Sequence, residues 1–239
     1  MRLEVRFTPG ELVPAELANQ TAVVIDALRA TSTIVEALAN GARAVFPQGS
    51  IDEAVRLAQN LGRENVLLCG ERRGLPIEGF DLGNSPLEFT PERVASKVLV
   101  MTTTNGTATL LTAGAARRTL VASFLNLGAV AEALAAGSDP VTIICAGREG
   151  RFALEDAVCA GALVLRVQEL SGEELVTNDA AVAAMALARD RAASPVELLR
   201  ETAAGKSLIE AGFEADVEYC AAIDRHRVVP ELRDRQITL

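Results

Sequence analysis

Six short apolar runs recur along the chain: AVVI at 22–25, AVF at 44–46, VLLC at 66–69, VLVM at 98–101, TLVA at 119–122 and VTIIC at 141–145. Runs this short and this continuously apolar suit strands buried on both faces, and helical patterns fill the intervals between them. Such alternation predicts βαβ units, hence an α/β fold of three layers, α/β/α, around a largely parallel sheet. Composition agrees. Nearly half of the 239 residues are hydrophobic, yet only 3% are aromatic and none is Trp, which favours helices over a sheet to a sandwich packed by aromatic rings.

Three helix starts carry recognisable signals. Ser50 with Glu53 forms a capping-box pattern in a segment that Gly62 stops; Asn178 opens NDAAVAAMALARDRA; and Ser194, Pro195 and Glu197 combine a cap, a first-turn proline and an acid. From about residue 155 the pattern changes. Helical stretches at 155–170, 178–192, 195–203, 205–211 and 214–224 follow with little strand between them. A single domain over 1–239 is expected, its helix-rich C-terminal part forming either a helical layer or a fused second lobe. VVPELRDRQITL reads as a closing edge strand, because Pro230 interrupts it.

Several function classes drop out. A net charge of −9, with no basic run interleaved with aromatics, argues against nucleic acid as a partner. No window approaches the roughly 18 uncharged apolar residues of a membrane span, and MRLEVRFTPG has no apolar leader core. A cytoplasmic protein with no membrane partner is expected. Cys69, Cys145, Cys159 and Cys220 form no CxxC pair and read as buried free thiols. GKS at 205–207 lacks the glycine that would open a Walker A loop, and no GxGxxG follows a strand, so ATP and NAD are not indicated. The sole histidine, His226, lies among charged residues and reads as a solvated side chain rather than a base.

Chemistry collects where the apolar runs end. Asp26 follows the first of those quoted; Gly70, Glu71, Arg72 and Arg73 follow VLLC; Thr102, Thr103, Thr104, Asn105 and Gly106 follow VLVM; Ser123 and Asn126 follow TLVA; Gly147, Arg148 and Glu149 follow VTIIC. Any one of these is an ordinary helix cap, but parallel strands of one sheet would carry them all to one edge, where open α/β folds bind ligands. In LRATSTIVEAL, Thr31 or Ser32 is expected to cap a helix whose N-terminus, with Arg29 beside it, suits phosphate, carboxylate or sulfonate. TTTNGTATLL repeats that arrangement. Asp26, Glu71, Glu149, Glu155 and Asp156 supply hard oxygen donors without His or Cys companions, which suits Mg²⁺ rather than Zn²⁺.

The stretches VVIDALRATSTIVEALANGA, GERRGLPIEGFDLGNSPLEFT, VLVMTTTNGT, VASFLNLGAV, CAGREGRFALEDAVCAGA and GFEADVEYCAAID resemble the 2-phosphosulfolactate phosphatases, the ComB-like proteins of coenzyme M biosynthesis. The likeness extends from about residue 22 to 230. It implies a three-layer α/β fold and Mg²⁺-dependent hydrolysis of 2-phospho-3-sulfolactate to 3-sulfolactate and phosphate, and it makes a homodimer plausible. On that reading Asp26, Arg29 and Glu71 are catalytic. Mg²⁺ is held by some of Asp26, Glu71, Glu149, Glu155 and Asp156. Arg29, Thr31, Ser32, Thr104, Asn105 and Gly106 bind anionic oxygens, Arg72 and Arg148 reach the carboxylate or sulfonate, and Asn84 and Ser85 shape the pocket. One departure stands out: where the family pattern leads one to expect Ser, His and Gly, this chain has Ala203, Ala204 and Gly205. The alternatives are a phosphatase for another small phosphoester and a binding module that holds an acidic metabolite without turning it over.

Overall fold

A computed structural model describes residues 1–172 and 174–239. In chain order the strands are β1 (Arg2–Arg6), β2 (Thr21–Ile25), β3 (Ala44–Pro47), β4 (Val66–Arg72), β5 (Leu75–Pro76), β6 (Val98–Thr102), β7 (Arg118–Ala122), β8 (Val141–Cys145), β9 (Val176–Thr177), β10 (Glu231–Arg233) and β11 (Gln236–Thr238). The helices are α1 (Ala30–Ala39), α2 (Ile51–Leu61), α3 (Pro91–Val94), α4 (Gly106–Ala113), α5 (Leu127–Ala135), α6 (Leu154–Ser171), α7 (Asp179–Arg191), α8 (Pro195–Glu201), α9 (Ala203–Glu210) and α10 (Glu214–Cys220). All six apolar runs are strands. Two of the expected caps form: the Ser50 side chain accepts from the Glu53 amide, and Asn178 accepts from Ala181. Ser194 occupies the cap position of α8 without a side-chain bond, leaving Pro195 to set the first turn.

Among the described residues the strands form one sheet in the order β5-β4-β6-β3-β11-β10-β7-β2-β8-β1-β9. β7, β2, β8 and β1 pair in parallel, as do β3, β6 and β4. Between these blocks lies the β10–β11 hairpin, antiparallel to both neighbours and within itself. The sheet is largely parallel, as expected, but three antiparallel steps reverse the ladder, so the two blocks run in opposite senses, and the expectation that all the quoted strands point to one edge is corrected. The expected closing edge strand is corrected too, since it is the seam of the sheet. Pro230 does no harm there because its carbonyl, not its missing N–H, makes the bond, accepting from Val121. Leu232 and Ile237 then fill the seam, and Asp234 and Arg235, both at positive φ, close the hairpin in a twist-compatible turn.

Helices cover both faces. One core joins Val24 of β2, Ile144 of β8, Leu99 and Met101 of β6 and Ile237 of the hairpin to Ile34 and Leu38 of α1 and Leu110 of α4. Alternate residues of the same strands face the other way. Val23, Ile143 and Cys145 pack with α5, α6 and α7, and Val98 and Val100 with Ala54 and Ala58 of α2. The C-terminal helices share that second core through Leu198, Leu199, Leu208, Val217 and Cys220, so they cover the sheet from the same hydrophobic body as α5–α7. All four cysteines are free and buried.

Opposed blocks should send their carboxyl ends to opposite edges. They meet instead because five strand-to-strand steps separate β2 from β6, and at ~20–25° of twist per step the second block has turned through roughly 100–125°. Strands of both blocks, α1 and α4 share one core, and Gly106, the first residue of α4, lies against Asp26 at the end of β2. A Cβ on Gly106 would stand 2.6 Å from the Ala30 Cβ and 2.7 Å from Asp26 Oδ2, so only glycine permits this approach.

Candidate active site

A cavity of about 270 Å³ opens where the two blocks meet. Its walls include Asp26 and Arg29 after β2, Glu71 and Arg73 from the end of β4, Asn84 from the loop after β5, Thr104 and Asn105 after β6, and Arg148 and Glu149 after β8. Glu155 and Asp156 at the start of α6, with Ala204, Ser207 and Leu208 of α9, complete it.

Each acid is placed by its own bonds. Asp26 caps α1, its Oδ1 accepting from the Ala30 amide at 3.3 Å and its carbonyl from Thr31 N at 3.1 Å. Asp156 accepts from Ala27 N at 2.8 Å and Gly147 N at 3.0 Å, so it joins the ends of β2 and β8. Glu71 accepts from Thr104 N at 2.6 Å, Gly74 N at 2.7 Å and the Thr104 hydroxyl at 3.1 Å, and so sets both the β4–β5 turn and the loop before α4. Asn105 Oδ1 accepts from Glu149 N at 3.0 Å, tying together loops from opposite blocks.

Burial and the crowding of charge raise the proton affinity of Asp26, Glu155 and Asp156. Burial, then the Glu71 charge and more weakly that of Glu155, lift the Asp26 carboxyl from an ordinary 3.8 to about 7, against the Ala30 amide and Arg29. Burial also raises Glu155, opposed by its own backbone N–H, Arg148 and the Thr202 hydroxyl. Asp156 is raised well above the ordinary range by burial and by the Asp26 and Glu155 charges. Such a site favours protons or a cation.

The residues named from sequence divide into two groups. Asp26, Arg29, Glu71, Asn84, Thr104, Asn105, Arg148, Glu149, Glu155 and Asp156 all line the cavity. Thr31, Ser32, Arg72, Ser85 and Gly106 do not; Gly106 lies instead against Ala30 and Asp26. The Thr31 and Ser32 hydroxyls lie inside the first turn of α1 and donate to the carbonyls of Asp26 and Ala27 at 2.9 Å, which removes them as caps and as ligand donors. Arg72 turns back to Thr102 Oγ1 and the Glu71 carbonyl, while its neighbour Arg73, at φ 54°, lines the cavity. Ser123 and Asn126 close a buried capping box after β7 and take no part in the cavity. His226 is not a solvated side chain. Its Nε2 lies 2.6 Å from Glu36 Oε2, which also accepts from the Tyr219 hydroxyl.

The donor set can be weighed against a divalent cation. Among the described residues no three acidic, His or Cys side chains form a ready cage. Glu71 and Asp156 have both oxygens engaged by backbone amides, and Glu149 is exposed on its turn. Asp26 and Glu155 remain, buried and facing the cavity. Mg²⁺ ordinarily takes one or two carboxylates and completes its six ligands with water and phosphate oxygens, so this pair fits that mode.

The family model for 2-phosphosulpholactate phosphatase matches residues 7–235. The chain belongs to that family. A relative in Gloeobacter violaceus is 44% identical over 231 residues, covering 96% of this chain and 94% of its own. One in Thermotoga petrophila is 44% identical over 213 residues, 89% of each chain, and one in Caldanaerobacter subterraneus is 36% identical over 234 residues, 98% and 96%. Each bears the name "Probable 2-phosphosulfolactate phosphatase". Ala204, at the position where the family pattern leads one to expect a histidine, stands in the cavity wall.

Sequence reasoning missed Asp216 and Gly74, and it placed Arg73 at the strand ends while giving the substrate role to Arg72. Asp216 pairs with Arg29 at 2.6 Å with both side chains 2% exposed. Its segment GFEADVEYC was part of the family likeness, but nothing local in it signals a partner 187 positions away. No helix is long and apolar enough to cross a membrane, among the described residues.

Proposed function

We propose that this chain hydrolyses 2-phospho-3-sulfolactate to 3-sulfolactate and inorganic phosphate, with Mg²⁺ held by Asp26 and Glu155. The observation that carries this reading is the meeting of acids and arginines from both sheet blocks in one cavity, in a chain matched almost end to end by the phosphatase family. Mg²⁺ bound there would neutralise charge on phosphoryl oxygens and acidify a water. Phosphoryl transfer otherwise asks a protein for positioning and electrostatics. The N-terminus of α4 and the Arg29 guanidinium orient the phosphoryl group. Arg148 and Arg73, from the turns after β8 and β4, meet the carboxylate and sulfonate. Asp26, whose carboxyl titrates near neutrality only while no cation is bound, would be held ionised as a ligand of the cation, so its role is to hold the cation and not to act as the base. Leu208 and the rest of α9 limit bulk water above the site.

Release of phosphate from 2-phospho-3-sulfolactate, followed with Mg²⁺ and then with EDTA, tests the proposal. Mg²⁺-dependent turnover supports it. No release from the folded chain removes the phosphatase reading, and full release in EDTA removes the cation alone. A homodimer in a cytoplasmic setting belongs to the same proposal. It is supported by the family likeness and checked by sedimentation, where a single-chain mass would remove the dimer.

A further inference from the structure

Asp216 does not line the cavity, yet it holds two of its walls. Its side chain, 2% exposed on α10, accepts from Arg29 Nη1 through Oδ2 and from the Ser85 hydroxyl through Oδ1, both at 2.6 Å. Arg29 Nη2 donates to the Gly74 carbonyl at 2.8 Å, and the guanidinium lies over the Phe213 ring, 4.6 Å from its centre. The plane of Arg29 is therefore set by α10, by Phe213 just before it and by the β4–β5 turn. Ser85 adjoins Asn84, whose carbonyl accepts from the Thr33 hydroxyl and whose side chain lines the cavity. Asn84 Oδ1 is the one buried side-chain nitrogen or oxygen, among the described residues, that lacks a hydrogen-bond partner. A buried acceptor of this kind is open to a water or to a group bound in the cavity.

A buried ion pair is poor evidence of a stabilising device, because desolvation offsets most of its attraction and apolar side chains of like volume serve as well. Its value lies in geometry. Resting on the phosphatase reading, we propose that Asp216 is a positioning residue. It fixes the Arg29 fork and, through Ser85, the Asn84 amide against the phosphoryl-binding space, so that the site is assembled only when α10 is docked. It touches no substrate. Because Asp216 also cancels the Arg29 charge, its loss should affect alignment in the transition state more than attraction of the anionic ground state.

Phosphate-release kinetics of wild type, Asp216→Asn, Arg29→Lys and the double variant test this, with circular dichroism and melting curves to count folded protein. Asp216→Asn should lower kcat by about 10- to 100-fold per folded molecule, with KM rising no more than about threefold. In the Arg29→Lys background, where no fork remains to be held, adding Asp216→Asn should lower kcat by less than about threefold. An equal factor in both backgrounds means a merely structural role and overturns the proposal. If Asp216→Asn does not fold, Ser85→Ala, which keeps the ion pair, decides: a several-fold fall in kcat at an unchanged melting temperature is expected, and an unchanged kcat overturns it. If wild type releases no phosphate, the functional reading fails separately, and coupling between positions 29 and 216 is read from calorimetric binding of inorganic phosphate, where additive effects overturn the proposal.

Discussion

Replacing Asp26 with Asn should abolish turnover and, without a cation, make the protein more stable. The Asp26 carboxyl is 7% exposed and titrates near 7, against 3.8 in an ordinary environment. Between about pH 4 and 7 the folded state thus holds a proton that the unfolded chain has released, so this group makes stability fall as pH rises through that window and stay low above it. About three pKa units at 1.36 kcal/mol each give an upper limit of ~4 kcal/mol, and sharing of the effect among Asp26, Glu155 and Asp156 places the expected value at ~1–4 kcal/mol. Asn keeps the shape and can still accept from Ala30 N, but carries no charge to repel. In EDTA at pH 8, Asp26→Asn should therefore exceed wild type by that amount in urea unfolding. The gap should shrink by roughly 60% at pH 5, where wild-type Asp26 is mostly protonated. Saturating Mg²⁺ should stabilise wild type by ~2–3 kcal/mol and the variant far less, while kcat in the variant falls by about 10²–10⁴. A wild type at least as stable as the variant at pH 8 in EDTA, or a gap indifferent to pH, would refute the account of mutual repulsion.

Gly106→Ala should cost ~1–3 kcal/mol and most of the activity, because the new methyl meets Ala30 and Asp26 Oδ2 below 3 Å; a melting curve and kcat unchanged from wild type would show that the approach of α4 is not needed. Arg148→Ala should raise KM for the sulfonated substrate about 10-fold or more with a smaller change in kcat, and an unaltered KM in steady-state kinetics would take Arg148 out of substrate binding. Ile237→Ala should destabilise by ~2–5 kcal/mol, as for a large apolar side chain deleted from a fully buried site, while leaving KM of the folded fraction alone; a loss below ~0.5 kcal/mol in urea unfolding would mean that the hairpin does not seal the sheet as described.

The residues that shape the site were largely visible before the fold was, for a local reason. A buried strand must be apolar along its length, so the first polar residue after it marks where the chain leaves the core, and Asp26, Glu71, Thr104 and Arg148 all stand at such points. The same locality misled where hydroxyls follow a strand. Thr31 and Ser32 looked like ligand donors, yet a hydroxyl in the first turn of a helix finds a carbonyl four or five residues back, and both did so. His226 was misjudged because charged neighbours in sequence do not reveal Glu36 arriving from α1.

The chain's own pattern determined the six buried strands, the α/β class, the helical caps at Ser50 and Asn178 and the inventory of acids and arginines, since each depends on residues within a turn or two of one another. Only the tertiary structure decided that a C-terminal hairpin seals the sheet, that its two halves run in opposite senses and still bring Asp26 against Gly106, and that Arg29 is held by Asp216. Those pairings join residues roughly 80 to 190 positions apart. They are selected by which apolar faces and buried charges can be satisfied together in the packed molecule, and no window of sequence holds both partners.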